Sequence, residues 1–235
     1  TPAGPGVYDA LWLGHTAALA QSDGTISLWD WDSGSFTSAG SIAVERDAVL
    51  TSISRTVQHS LVASTATGRV YSVADSVPAL VGTHRAEVWT AAPDAQQPHV
   101  VHAGDDLGLW LQWDARQPRT APAARVSYHS AGVCCVAPHP EVPSLIATTS
   151  YDRRVALWDA RTLDSPLAVW HHQEDAGVWR AAWRGKRLLL ACTFAGAAVL
   201  RVADDHAALA PVGRGAPQDT AAGRALTYGA AWVDE

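Results

Sequence analysis

Apolar and polar residues alternate along this chain in short runs, and the runs are separated by Gly, Asp, Ser and Thr turns. Ala17-Ala18-Leu19-Ala20, the turn Ser22-Asp23-Gly24 and Thr25-Ile26-Ser27-Leu28-Trp29 predict a β-hairpin. A second group follows, with Val49–Ile53, Leu61–Ser64, the turn Thr67-Gly68 and Val70–Val73. The third is Val88–Ala91, Val100–Asp106 and Leu109–Trp113. The fourth and most regular is Gly132–Val136, Leu145–Thr149, the turn Ser150-Tyr151-Asp152 and Val155–Trp158. The fifth is Gly177–Trp183, Leu188–Cys192 and Ala198–Val202. Asp204 to Arg224, rich in Ala, Gly, Pro and Asp, predicts a long loop. A single strand from Tyr228 to Trp232 opens a sixth group.

The groups repeat. Leu-Trp-Asp occurs at Leu28-Trp29-Asp30 and Leu157-Trp158-Asp159, with Gln112-Trp113-Asp114 between them, and an Asp stands six residues before Trp29 (Asp23) and Trp158 (Asp152). Marking this point in each group gives Trp29, Val73, Trp113, Trp158 and Arg201, at steps of 44, 40, 45 and 43 residues. A period of ~40–45 residues with Trp-Asp closing a strand is that of a four-stranded WD-repeat propeller blade. The expected fold is all-β, a single WD-repeat β-propeller domain over residues 1–235, with about five blades plus one strand of a sixth. That is less than a closed ring of seven blades contains, and an open ring leaves sheet edges unpaired.

Composition narrows the function. Hydrophobic residues make up 48% and charged residues 17%, a globular balance that does not suggest disorder. Eleven Trp against two Phe agree with one Trp per third strand and extra Trp on neighbouring strands. A net charge of −6 gives no phosphate-binding surface, so nucleic acid is not expected as a partner. Cys134, Cys135 and Cys192 form no disulfide framework, and reduced thiols in the cytoplasm are the expected state. No leader is visible, and the chain has no Met even at position 1, as expected of a processed or trimmed product. Leu188 to Leu200 is too short to cross a membrane. A monomer is expected.

Within the repeat, His129, Ser150, Asp152 and Trp158 read as a buried hydrogen-bonded chain that locks the turn, and His84 and Asp106 repeat the idea in blade three. The repeat accounts for Ser, His and Asp without a catalytic triad, and no Gly-x-Ser-x-Gly elbow occurs. Adjacent His171-His172 and Cys134-Cys135 face opposite sides of a strand, and His139 between two prolines reads as a turn residue, so no metal site and no cofactor are expected. Asp106 lies seven residues before Trp113, which predicts one extra residue in the turn. Asp105 then becomes a surplus acid, freer to face a ligand.

Longer words follow one another in a telling order: His102-Ala103-Gly104-Asp105-Asp106, Trp113-Asp114-Ala115-Arg116, His129-Ser130-Ala131-Gly132-Val133-Cys134, Ser150-Tyr151-Asp152, Leu157-Trp158-Asp159-Ala160-Arg161, Gly177-Val178-Trp179-Arg180, Leu189-Leu190-Ala191-Cys192 and Tyr228-Gly229-Ala230-Ala231-Trp232. From about His84 to Trp232 the chain resembles the diphthine methylesterase family, WD-repeat proteins of diphthamide biosynthesis. It departs from the family at Ala231, where Asp is usual, and at His102-Ala103-Gly104 before the acids. The resemblance implies hydrolysis of the methyl ester of over-methylated diphthine on elongation factor 2, the protein substrate, giving diphthine and methanol. For such a hydrolase His129 is the candidate general base, oriented by Asp105 or Asp152. Cys134 is a candidate nucleophile that fits buried packing as well. Trp89, Trp179 and Arg180, at matching starts of inner strands, are candidates to bind the substrate, and the two Trp equally suit inter-blade core. The alternative function is a non-catalytic scaffold.

Overall fold

The computed structural model describes residues 4–117, 121–172, 176–192, 195–215, 219–220 and 223–224. Every regular element among them is a strand. Blade one is β1 (Val7–Leu13), β2 (Thr16–Gln21), β3 (Thr25–Asp32) and β4 (Ser35–Ala43). Blade two is β5 (Leu50–Arg55), β6 (Leu61–Thr65), β7 (Arg69–Ala74) and β8 (Val77–Thr83). Blade three is β9 (Val88–Pro93), β10 (Val100–Asp105), β11 (Leu109–Asp114) and β12 (Ala124–Ser127). Blade four is β13 (Val133–Pro138), β14 (Leu145–Ser150), β15 (Arg154–Asp159) and β16 (Ala168–His171). Blade five is β17 (Val178–Arg184), β18 (Arg187–Cys192), β19 (Gly196–Val202) and β20 (Leu209–Gly215). In each blade the four strands lie side by side in chain order, the meander of a β-propeller blade. Trp29, Val73, Trp113, Trp158 and Arg201, the points that marked the repeat, all fall on third strands.

The fourth strands were not legible. β4 and β20 expose almost every residue, so no apolar face writes an alternation into the sequence. The expected loop from Asp204 to Arg224 is corrected for the same reason. Its residues Leu209–Gly215 form β20 and pair with β19, and a two-residue ladder joins β21 (Asp219–Thr220) to β22 (Gly223–Arg224). The strand expected at Tyr228–Trp232, with Ala231, lies outside the described residues.

The described residues divide into two compact units. One holds Thr1–Asp105 and Leu111–Arg125, the other Asp106–Trp110 and Val126–Glu235. Within the first, Ala18, Ala20, Ile26, Leu50, Ile53 and Val73 share a core between blades one and two. Within the second, Val155, Leu157, Val178, Leu188, Leu190 and Leu200 form the core between blades four and five, and Trp110, Val133, Ile146 and Trp158 form another. Second strands are buried on both faces: every residue of β6, β10 and β14 is buried.

Polar residues close the strand ends. His139, just past β13, accepts the backbone N–H groups of Glu141 (3.0 Å) and Val142 (2.9 Å) on Nδ1, and Nε2–H donates to the Gly185 carbonyl at 3.0 Å. Two accepted bonds on Nδ1 place the proton on Nε2. The ring also packs on Trp183, at 4.7 Å between centroids. His139 is thus a buried turn lock. His139→Ala is expected to lower the denaturant midpoint by the equivalent of ~2 kcal/mol, and an unchanged midpoint would show that water replaces these bonds at no cost.

Candidate functional site

The His-Asp pairs come first, because the sequence placed catalysis on them. In blade four Trp158 Nε1–H donates to Thr148 Oγ1 (2.9 Å), Thr148 meets His129 Nε2 (2.8 Å), and His129 Nδ1 meets Asp152 Oδ2 (3.0 Å). Indole is a donor only, so protons run in one sense, Trp158 to Thr148 to His129 to Asp152. Asp152 also accepts the backbone N–H groups of Ser130 and Arg154. Burial pushes its carboxyl up, but the bond and charge of His129 and the two backbone donors outweigh that and hold it at about 2. The bridging hydroxyl is therefore Thr148, not Ser150. Ser150 Oγ donates to the Ala131 carbonyl and accepts from the Asp152 N–H.

Blade three reverses the roles expected of its two acids. Asp105 is 0% exposed and accepts from His84 Nδ1 at 3.0 Å, while His84 Nε2 accepts from Trp113 Nε1 at 3.3 Å. Asp105 pairs with Val88 as Ser150 pairs with Val133, so the two occupy the same place at the end of a second strand. Leu107 then stands where blade four has Asp152, and both turns hold three residues, 106–108 and 151–153. The expected extra residue does not exist. The carboxylate has moved two positions back along the chain and still reaches the histidine. Asp105 is the structural acid, and Asp106 is the exposed one. His129, the candidate base, has both its nitrogens engaged inside a buried hydrogen-bonded chain.

The inner strands carry a feature the sequence hinted at by placing Trp89 and Trp179 at matching starts. Each inner strand slips by one residue against its neighbour, at Tyr8 in β1, Thr51 in β5, Trp89 in β9, Cys134 in β13 and Trp179 in β17. A bulge leaves the extra residue out of the ladder and re-aims its side chain, and bulges concentrate next to active sites. Trp89 and Trp179 are both half-buried.

In the second unit the bulges of β13 and β17 meet two turn residues. Tyr151 donates its N–H to the Gly132 carbonyl (3.1 Å), and Cys134 Sγ–H donates to the same carbonyl at 3.3 Å. Asp106 lies against Gly132, where an added Cβ would stand 3.0 Å from Oδ1. The Tyr151 ring covers Gly177, leaving only 2.4 Å for a Cβ there, and reaches Trp179 at 5.6 Å. Arg180 lies over the Trp179 ring at 4.9 Å, and its Nη1 donates to the Cys134 carbonyl at 2.8 Å. Tyr151, Trp179 and Arg180 thus form one cluster, with Tyr151 42% exposed, and the exposed Asp106 adjoins it through Gly132. Cys134 lies beneath it. Burial pushes that thiol far up, with the Arg180 charge opposing and the Asp106 charge adding. A fully buried thiol held protonated is packing, not a nucleophile. The signal missed in the sequence was the small residue opposite each turn: Gly132 and Gly177 make room for Asp106 and Tyr151.

Residues 121–159 match the family described as WD domain, G-beta repeat. A Homo sapiens protein named diphthine methyltransferase is 37% identical over 120 residues, covering 50% of this chain and 26% of that protein. A Mus musculus protein of the same name is 34% identical over 188 residues, covering 78% of this chain and 37% of that protein. The chain is a WD-repeat protein similar to curated proteins named for diphthine. It spans well under half the length of these curated relatives. Among solved structures, a chain of the COPII outer coat vertex on membranes aligns with a TM-score of 0.73 over 85% of this chain and 59% of that one, at 15% identity. A chain of the mitotic checkpoint complex aligns at 0.62 over 84% and 73%, at 16% identity. Both likenesses concern the fold alone. The words that carried the family resemblance, Gly132-Val133-Cys134, Ser150-Tyr151-Asp152 and Gly177-Val178-Trp179-Arg180, are the residues that build the cluster just described.

Proposed function

We propose that this protein hydrolyses the methyl ester of diphthine methyl ester on elongation factor 2, giving diphthine and methanol, and that it does so in the cytoplasm without a cofactor. The observation that supports this reading is that Ser150-Tyr151-Asp152 and Gly177-Val178-Trp179-Arg180 meet in one partly exposed cluster in the second unit, in a chain similar to proteins named diphthine methyltransferase. In this reading Tyr151 and Trp179 form the apolar floor under the modified side chain. Arg180 offers guanidinium N–H groups to the ester oxygen as negative charge develops on it. Asp106 takes the proton of the attacking water and returns it to the methoxide oxygen as the C–O bond breaks, so that methanol leaves. Trp89, on the equivalent bulge of β9 in the first unit, is proposed by itself as a substrate-binding residue. His129 and Asp105 serve by holding their turns.

The test is incubation with elongation factor 2 bearing the methylated intermediate, followed by mass spectrometry for loss of one methylene mass. Asp106→Asn and Arg180→Gln are each expected to slow that loss by about 10²-fold or more, with melting temperatures near the parent's. Demethylation at the parental rate in both variants would remove the cluster from the mechanism. The second reading is a non-catalytic scaffold, favoured by the engagement of His84, His129, Asp105 and Asp152 in buried locks. Binding of elongation factor 2 with no change of mass would put the scaffold ahead.

A further inference from the structure

Blade five carries a row of arginines unrelated to the cluster above. Arg184 in β17 pairs directly with Arg187 in β18, and Arg187 pairs with Arg201 in β19. Directly opposed residues of antiparallel strands project from the same side of the sheet, so three guanidinium groups share one side in register. Lys186, in the turn between β17 and β18, adds a fourth cation, and all four residues are exposed. With Val202 and Asp204 they line an open groove of about 320 Å³. Asp204 is the acid of that lining, and Lys186 holds it in an ion pair. Among the described residues the lining carries four cations and one anion, on a chain whose net charge is −6. Like charges directly opposite one another destabilise a sheet. An anion lying along Arg187 and Arg201 would offset their repulsion.

We propose that this groove binds an acidic, extended segment of a protein partner. Guanidinium groups fit carboxylates in paired, parallel hydrogen bonds. The row crosses three strands, a reach of roughly 10 Å at ~4.8 Å per strand spacing. Alternate residues of an extended peptide lie ~6.5–7 Å apart on one side, so two or three acidic side chains span it. A nucleic acid suits it less. Its charges repeat every ~3.4 Å per strand and run on past the row, over a protein of opposite preference. The groove lining also contains no aromatic side chain on which a base could stack.

The experiment is fluorescence anisotropy with a labelled peptide of alternating Glu and Ser, against its Gln-Ser analogue and an oligothymidylate of equal charge. The acidic peptide is expected to bind, to weaken with added salt, and to outcompete inorganic phosphate. Arg187→Glu, at the centre of the row, is expected to weaken binding about tenfold or more, and Arg187→Gln about threefold. Arg55→Glu, an exposed reversal in blade two, is expected to leave it within about twofold. Melting temperatures separate binding from folding: Arg187→Glu replaces repulsion by attraction across the row and is expected to melt no lower than the parent. The proposal is overturned by no binding of the acidic peptide at low salt, by equal losses in Arg187→Glu and Arg55→Glu, by tighter binding of the oligothymidylate, or by displacement with phosphate as effective as with unlabelled peptide.

Discussion

Asp152→Ala is expected to lower the free energy of unfolding by roughly 2–4 kcal/mol. Asp152 accepts from His129 Nδ1 and from two backbone N–H groups, and its removal leaves a buried imidazole N–H without an acceptor. The pH dependence follows from the direction of the shift. The folded carboxyl sits at about 2, below the ordinary Asp value of ~3.9. Its contribution is therefore complete above about pH 4 and disappears as the pH falls through about 2. Denaturant midpoints at pH 7, 4, 3 and 2 test both parts. The parent should lose stability across the acid range more steeply than Asp152→Ala, and the two should approach each other near pH 2. Equal midpoints at pH 7 would take Asp152 out of the network and return it to the list of catalytic candidates.

Gly82→Ala is expected to cost a similar ~2–4 kcal/mol for a reason with no polar component. An added Cβ would stand 2.2 Å from Cδ2 and 2.3 Å from Cε2 of Trp113. The indole cannot swing aside cheaply, because its Nε1–H is bonded to His84 and its ring is buried. Thermal melting should show the loss, and the tryptophan emission should shift to the red as Trp113 meets water. Gly213→Ala is the matching control in an outer strand. Its Cβ would meet Val199 at 4.0 Å, an ordinary contact, and little change is expected. A Gly82→Ala protein as stable as the parent would mean that the backbone of β8 gives way where the packing says it cannot.

These two positions show where sequence reasoning succeeds and where it stops. Asp152 was readable as a structural acid because it stands at a fixed step before Trp158 in a repeat. Gly82 was not readable, since nothing local to Val81-Gly82-Thr83 announces a tryptophan 31 residues ahead. The acids of blade three lie between these cases. Distance to Trp113 pointed to Asp106 as the lock and Asp105 as the spare, and the register reversed them. A carboxylate satisfies a buried histidine wherever its oxygen arrives, so the chemistry survives a shift that counting along the chain does not anticipate.

The cluster of Tyr151, Trp179 and Arg180, with Asp106 adjoining it, was half visible. Trp179 and Arg180 stood out by their place in the repeat. Tyr151 and Asp106 did not, because they get there by packing on Gly177 and Gly132, the residues just before β17 and β13. The arginine row was invisible for a related reason. Arg184, Arg187 and Arg201 are unremarkable in sequence, and only the ladders from β17 to β19 align them.

By itself, then, the sequence determined the repeat and the all-β class, since periodicity leaves its mark on every residue of an apolar face. The tertiary structure decided which acid locks each turn, where the exposed outer strands run, and which charged side chains share a surface. Those outcomes depend on distances between strands far apart in the chain, and such distances are settled by register and packing rather than by local composition.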